Sequence, residues 1–218
     1  GRRTFSAGQM MTAWMETFSS AILVGEPSSA FYNGYAGHEF VRLPGSGIGV
    51  MVSPDYYQMG RFPRDARRQA TPRLAAVPTF ADYRTNRDPA LEVILAYEPG
   101  RLEREVLATL DRGDSAAAAA LVRAYDADPV NRYRDAAPEL NAVAYRLLRA
   151  HREREAVAVF ELNVRVHPRY TNGWDSLGEA YVRSGRRDDA IAAFRRAVAI
   201  QPDFAPSLAW LRRLGVRP

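Results

Sequence analysis

The chain contains no cysteine and no lysine. Without cysteine there is no disulfide framework, no thiolate zinc site and no cysteine nucleophile, and without lysine any mechanism that needs a lysine base is excluded. Histidine is scarce, with three in 218 residues. The longest aliphatic runs, such as Ala116 to Val122 and Ala21 to Val24, fall far short of a bilayer's thickness, so no transmembrane segment is expected. The opening residues do not follow a charged-then-apolar pattern, so no signal segment is expected among them. No cofactor and no metal site is expected from this composition.

All 30 cationic side chains are arginine, for a net charge of +5. Residues 1–100 hold 10 arginines against 9 carboxylates and residues 101–218 hold 20 against 16, so neither half is a basic arm. Pairs such as Arg186–Arg187, Arg195–Arg196 and Arg212–Arg213 lie among carboxylates at helical spacing. That pattern describes a solvated, salt-bridged face rather than a phosphate-binding stripe, and no nucleic-acid partner is expected. With 47% hydrophobic and 25% charged residues the balance is that of a globular chain of one large or two small domains.

Two grammars meet at Pro99–Gly100. Residues 1–98 mix short β-like runs with turns and predict an α/β unit. Ala21–Gly25 and Ile48–Ser53 read as buried or half-buried strands and Glu39–Leu43 as a weaker one, separated by turn-rich Pro27–Gly37 and Pro44–Gly47. A helix is expected from about Ala7 to Phe18. Another starts at Asp88 as N-cap, with Pro89 in its first turn, and runs to about Tyr97.

Residues 101–218 are almost wholly helical in periodicity. Trp174, Leu177, Gly178, Tyr181, Ala190, Phe194, Ala197 and Pro202 recur 34 residues earlier as Leu140, Val143, Ala144, Leu147, Ala156, Phe160, Asn163 and Pro168, with Asn163 the awkward fit. This spacing is that of the tetratricopeptide repeat and defines repeats at about 137–170 and 171–204. Small residues at Gly178, Ala144, Ala190 and Ala156 let paired helices approach, and Pro202 and Pro168 end the second helix of each pair. A degenerate hairpin at 101–126 precedes the repeats, and a capping helix at 206–214 covers the last apolar face. Polar and aromatic residues on the concave face of the first helices, Asn141, Tyr145, Arg149, Asp175, Glu179 and Arg183, are the candidates for binding an extended peptide.

The first half resembles the C-terminal-processing, tail-specific serine peptidases of crotonase-like fold. The features that carry this resemblance are Thr4-Phe5-Ser6-Ala7 before an amphipathic helix, Ala21 to Gly25-Glu26, the Leu43-Pro44-x-Ser46-Gly47 turn, Val50–Ser53 and Arg87-Asp88-Pro89-x-Leu91-Glu92. The resemblance covers residues 1–98. It implies a partial crotonase-like α/β peptidase half followed by an all-α repeat array, and it makes Ser6 the nucleophile, with the Ala7 N–H in the oxyanion site. Ser6-x-x-Gln9 also reads as a capping box, which ordinary helices use to satisfy their first N–H groups. The family's lysine position is filled by Phe31, which excludes a Ser–Lys dyad. In the tricorn-like branch a histidine from earlier in the chain serves with a late carboxylate. Asp65 is the nearest candidate for that carboxylate, or else a surface partner of Arg68. His38 is the candidate local base, or simply polar surface; His151 and His167 read as exposed helix or turn residues.

The resemblance further implies that this sequence is the C-terminal part of a longer peptidase, expected in the periplasm or secreted, and that the 218 residues alone are inactive. Two readings stand side by side. One is a serine peptidase acting on peptide or protein substrates with a partner-binding tail. The other is a non-enzymatic scaffold that works through its repeats.

Overall fold

In the computed structural model, which describes residues 1–59 and 67–216, the unit Gly1–Tyr97 is built from short local pairings. Helix α1 (Ala7–Phe18) buries Gln9 and Ala13 one turn apart and closes where Ser19 donates its N–H to the Met15 carbonyl. Strand β1 (Val24–Gly25) runs parallel to β6 (Leu74–Ala75). Between them β2 (Asn33–Ala36) pairs antiparallel with β5 (Asp55–Gln58), and β3 (Glu39–Arg42) with β4 (Gly49–Val52). The second pair is nested inside the first along the chain, and residues 37–38 and 53–54 link the two pairs. Two short helices follow, α2 (Phe80–Arg84) and α3 (Pro89–Ala96).

Caps define those helices. Thr79 and Asp82 form a reciprocal capping box at α2, and the Thr79 hydrogen bonds hold the Asp82 carboxyl below its ordinary range. Asp88 accepts from the Ala90 and Leu91 N–H groups, with Pro89 in the first turn of α3. Arg87 joins the two helix starts by pairing with Asp82 at 3.1 Å and with Glu92. The unit's buried apolar cluster is small: Ala13, Tyr32 and Ala70, with Leu23 and Met59 against it. Tyr32 donates its hydroxyl to Glu16, which Arg67 holds at 2.9 and 3.1 Å while its guanidinium lies 4.3 Å over the Tyr32 ring.

Helix α1 forms where its periodicity places it and α3 where its cap does, but the strands differ from expectation. The run at 21–25 keeps only two strand residues, and β4 is exposed along its whole length because β3 is its single partner. Turn-rich 27–37 contains β2. The described strands form three separate pairs, and a layered crotonase-like sheet is not seen among them. Alternation of apolar residues marks strand character, but it carries no information on which strands will be joined into one sheet.

The unit Glu98–Pro218 is an array of helical hairpins. Its α-helices among the described residues are α4 (Arg101–Asp111), α5 (Ser115–Ala127), α6 (Ala136–Arg149), α7 (Glu153–Val166), α8 (Thr171–Arg183), α9 (Arg187–Ile200) and α10 (Ala205–Arg213), with a 3-10 turn at Pro129–Asn131. Aspartates start several of them: Asp114 accepts from the Ala117 N–H at 2.8 Å and Asp135 from that of Ala137 at 2.9 Å. Just past four helix ends, Gly113, His151, Gly185 and Gly215 have φ of 77°, 57°, 73° and 70°, the left-handed turn that releases the chain into the next element.

One continuous core joins α4 to α10 through residues such as Val106, Val122, Leu140, Phe160, Leu177, Phe194 and Leu211. The small positions work as the spacing predicts, with a different neighbour at Gly178. A Cβ there would sit 2.5 Å from the ring of fully buried Phe194, so it is the phenylalanine of α9, rather than Ala190, that requires glycine. Asn163, awkward by pattern, is fully buried, and its amide donates to the Ala137 carbonyl at 2.8 Å, tying α7 to the start of α6. His151 is exposed, but His167 is not a free turn residue. Its ring nitrogens face the oxygens of Asn163 at 2.9 Å and Asp126 at 2.7 Å, and so connect α7 to the end of α5.

The hairpin α4–α5 packs chiefly on α7. Arg165 donates to Ser115 at 2.9 Å, and Arg146 of α6 pairs with Glu103 of α4 at 2.5 Å. Hairpins α6–α7 and α8–α9 stack in order and α10 packs on α9. No helix among the described residues is long and apolar enough to cross a membrane.

Candidate functional site

The first helices of successive hairpins, α6 and α8, together with α10, share one face, and a polar ladder runs across it. Tyr145 on α6 donates its hydroxyl to Glu179 at 2.8 Å and reaches Ser176 at 3.1 Å, both on α8. From the other side Trp210 of α10 donates its indole N–H to the second Glu179 oxygen at 3.2 Å. One turn earlier on α8, Asp175 accepts from the Ser207 hydroxyl of α10 at 2.6 Å. Glu179 is thus the node of a chain of contacts through three helices.

The electrostatics of this face follow from its burial. Asp175 is 5% exposed, and desolvation raises its carboxyl above the ordinary range, opposed by the Ser207 hydrogen bond and reinforced by the charge of Glu179. Burial likewise pushes the Tyr145 phenol up to about 12, so it stays a donor to Glu179 at any physiological pH. Asn141 is buried one turn before Tyr145, and its side-chain oxygen has no partner. Two turns beyond Asn141 and Asp175, Arg149 and Arg183 are exposed. The six candidates therefore lie on one face, but in different roles, with Asn141 buried and unpartnered. Tyr145, Asp175 and Glu179 are engaged between helices, while Arg149 and Arg183 stand in solvent.

Ser176, Ser207 and Trp210 complete the ladder and were not candidates by sequence. Their signal is present in the spacing: Tyr145 to Ser176 and Glu179 to Trp210 are both 31 residues apart. A 34-residue repeat puts the same inter-helix contact at every step, so this second period accompanies the first.

In the other unit, Ser6 and Ala7 are exposed at the start of α1. Ser6 has φ 52° and ψ −126°, a strained backbone for serine, and its side chain makes no capping hydrogen bond. The Ser6–Gln9 capping box is therefore absent: Gln9 turns inward, and both polar atoms of its side chain are buried without a partner. His38 is exposed in the link between β2 and β3. Asp65 lies outside the described residues. Glu26 pairs with Arg2 at 3.2 Å.

Comparison with known proteins bears on the last part of the helical array. Residues 171–215 match the family model of the tetratricopeptide repeat. Superkiller protein 3 of Schizosaccharomyces pombe is 45% identical over 56 residues, which are 26% of this chain and 4% of that protein, so the chain spans only a small part of the relative's length. Among solved structures, the first tetratricopeptide domain of Spaghetti bound to an HSP90 peptide is 19% identical with a TM-score of 0.36, covering 52% of this chain and 87% of that one. MamA is 18% identical with a TM-score of 0.36, covering 59% and 77%. Residues 171–215 are thus similar to a tetratricopeptide repeat, at the end of a mostly helical array; a peptidase or crotonase-like match is not among these findings.

Proposed function

We propose that this chain is a protein-interaction scaffold, and that the shared face of α6, α8 and α10 is its binding surface. The observation that carries the reading is the polar ladder centred on Glu179, because it sets side chains of three helices into one fixed array without filling the face with apolar residues. A rigid, pre-ordered polar face binds an extended segment at a low ordering cost. The repeat match at 171–215 supports the same reading. Replacing Tyr145 and Arg183 together by alanine is expected to abolish capture of partners by the full chain while circular dichroism stays helical. Partners that survive the double replacement would refute this surface.

One observation favours a second reading, in which Ser6 is a nucleophile. Its strained backbone at the start of a helix is the kind of sharp turn that presents a serine for acyl transfer, and the Ala7 N–H stands beside it. His38 and Asp65 are the proposed partners, and a serine hydroxyl needs such a base to react. Labelling of Ser6 by a serine-directed phosphonate, lost in Ser6→Ala, would support this reading; an unlabelled chain would remove it for the 218 residues.

A further inference from the structure

Among the described residues, no cation reaches the acceptors on the shared face. Among the described residues, Glu179 receives only the Tyr145 hydroxyl and the Trp210 indole, and Asp175 only the Ser207 hydroxyl, all of them neutral donors. Among the described residues no arginine pairs with either carboxylate. An independent observation on the neighbouring helix points the same way: the Asn141 side-chain oxygen is buried, without a donor, on the turn preceding Tyr145. Buried acceptors of this kind are costly unless a donor reaches them, and a cationic donor gives the strongest bond to a carboxylate.

The cations are placed elsewhere on the same helices. Arg149 is eight residues beyond Asn141 and Arg183 eight beyond Asp175, and eight residues of helix rise about 12 Å. Arg213, the last residue of α10, lies with its guanidinium 5.2 Å from the Trp210 ring. Arg146, also on α6, is engaged with Glu103. Along α6 and α8 the face thus runs from the acceptors Asn141 and Asp175 to the exposed Arg149 and Arg183, with Glu179 between them, one turn before Arg183. An extended chain covers about 12 Å in three to four residues.

We infer that the partner is an extended segment carrying a lysine or arginine and, three or four residues from it, an aspartate or glutamate. The basic side chain sits among Asn141, Asp175 and Glu179, and the acidic one lies over Arg149 and Arg183. This rests on the reading of the face as a protein-binding surface.

The test is selection of randomised eight-residue peptides displayed on phage against the full 218-residue chain. Enriched peptides are expected to carry the basic and acidic pair at that separation at least about tenfold above its frequency in the unselected library, the gap that 1.4 kcal/mol of preference gives. Glu179→Gln, which keeps an acceptor for the Trp210 indole and turns its amide N–H toward the Tyr145 oxygen, should remove enrichment at the basic position alone. Arg149→Ala with Arg183→Ala should remove it at the acidic position alone. Enriched peptides that are purely acidic or purely basic, or a pair that persists in these variants, would overturn the inference and leave the binding surface standing. No enrichment of any peptide would overturn both.

Discussion

Asp175 shows how a single side chain is held at a cost. Its carboxylate is desolvated, has one hydroxyl donor and feels Glu179 one turn away, so its folded-state pKa lies above the ordinary 3.8. A carboxyl raised in this way favours the fold while protonated, below the ordinary value. That contribution is lost as the pH rises through the folded value. Asp175→Asn keeps an acceptor for Ser207 and removes the buried charge. The variant should melt at a higher temperature than the native chain at pH 7, and the gap should close as the pH falls below about 4; a gap that is constant with pH would contradict the account. The same variant should bind partner segments more weakly, the usual relation between a costly buried charge and the function that retains it.

At the scale of elements, the helices other than α2 were legible and the sheets were not. Caps and turn glycines are local, so Asp88 with Pro89, and Gly185 after α8, mark helix ends that the structure reproduces. The 34-residue period exposes the small positions, but not what presses on them: Phe194 against Gly178 depends on a ring orientation that no spacing reveals. Leucine at position 178 should overpack against that fully buried ring and cost about 1–3 kcal/mol. Thermal unfolding of the full chain, read at the helical signal, should shift down by several degrees, and an unchanged midpoint would show that the hairpin is not packed this way. In the other unit the capping-box pattern at Ser6–Gln9 misled, because Gln9 shares a helix face with Ala13 and turns to the buried side instead. Strand pairing was hidden for a different reason: partners such as Val24 and Leu74 lie 50 residues apart, and nothing local joins them.

The whole chain divides into Gly1–Tyr97, with its small buried cluster, and Glu98–Pro218, with a core continuous from Val106 to Leu211. The six face residues were legible as a set because the repeat fixes which positions share a side of the array. Their division into inter-helix and solvent-facing groups was not, since it depends on Ser176, Ser207 and Trp210 of neighbouring helices. The central claim is that partners bind the face made by α6, α8 and α10. Amide hydrogen exchange of the full chain, with and without a bound partner segment, tests it most directly. Protection is expected to rise in residues 136–149, 171–183 and 205–213 and to stay unchanged along 153–166 and 187–200; protection gained on the second set alone, or on residues 1–97, would contradict it.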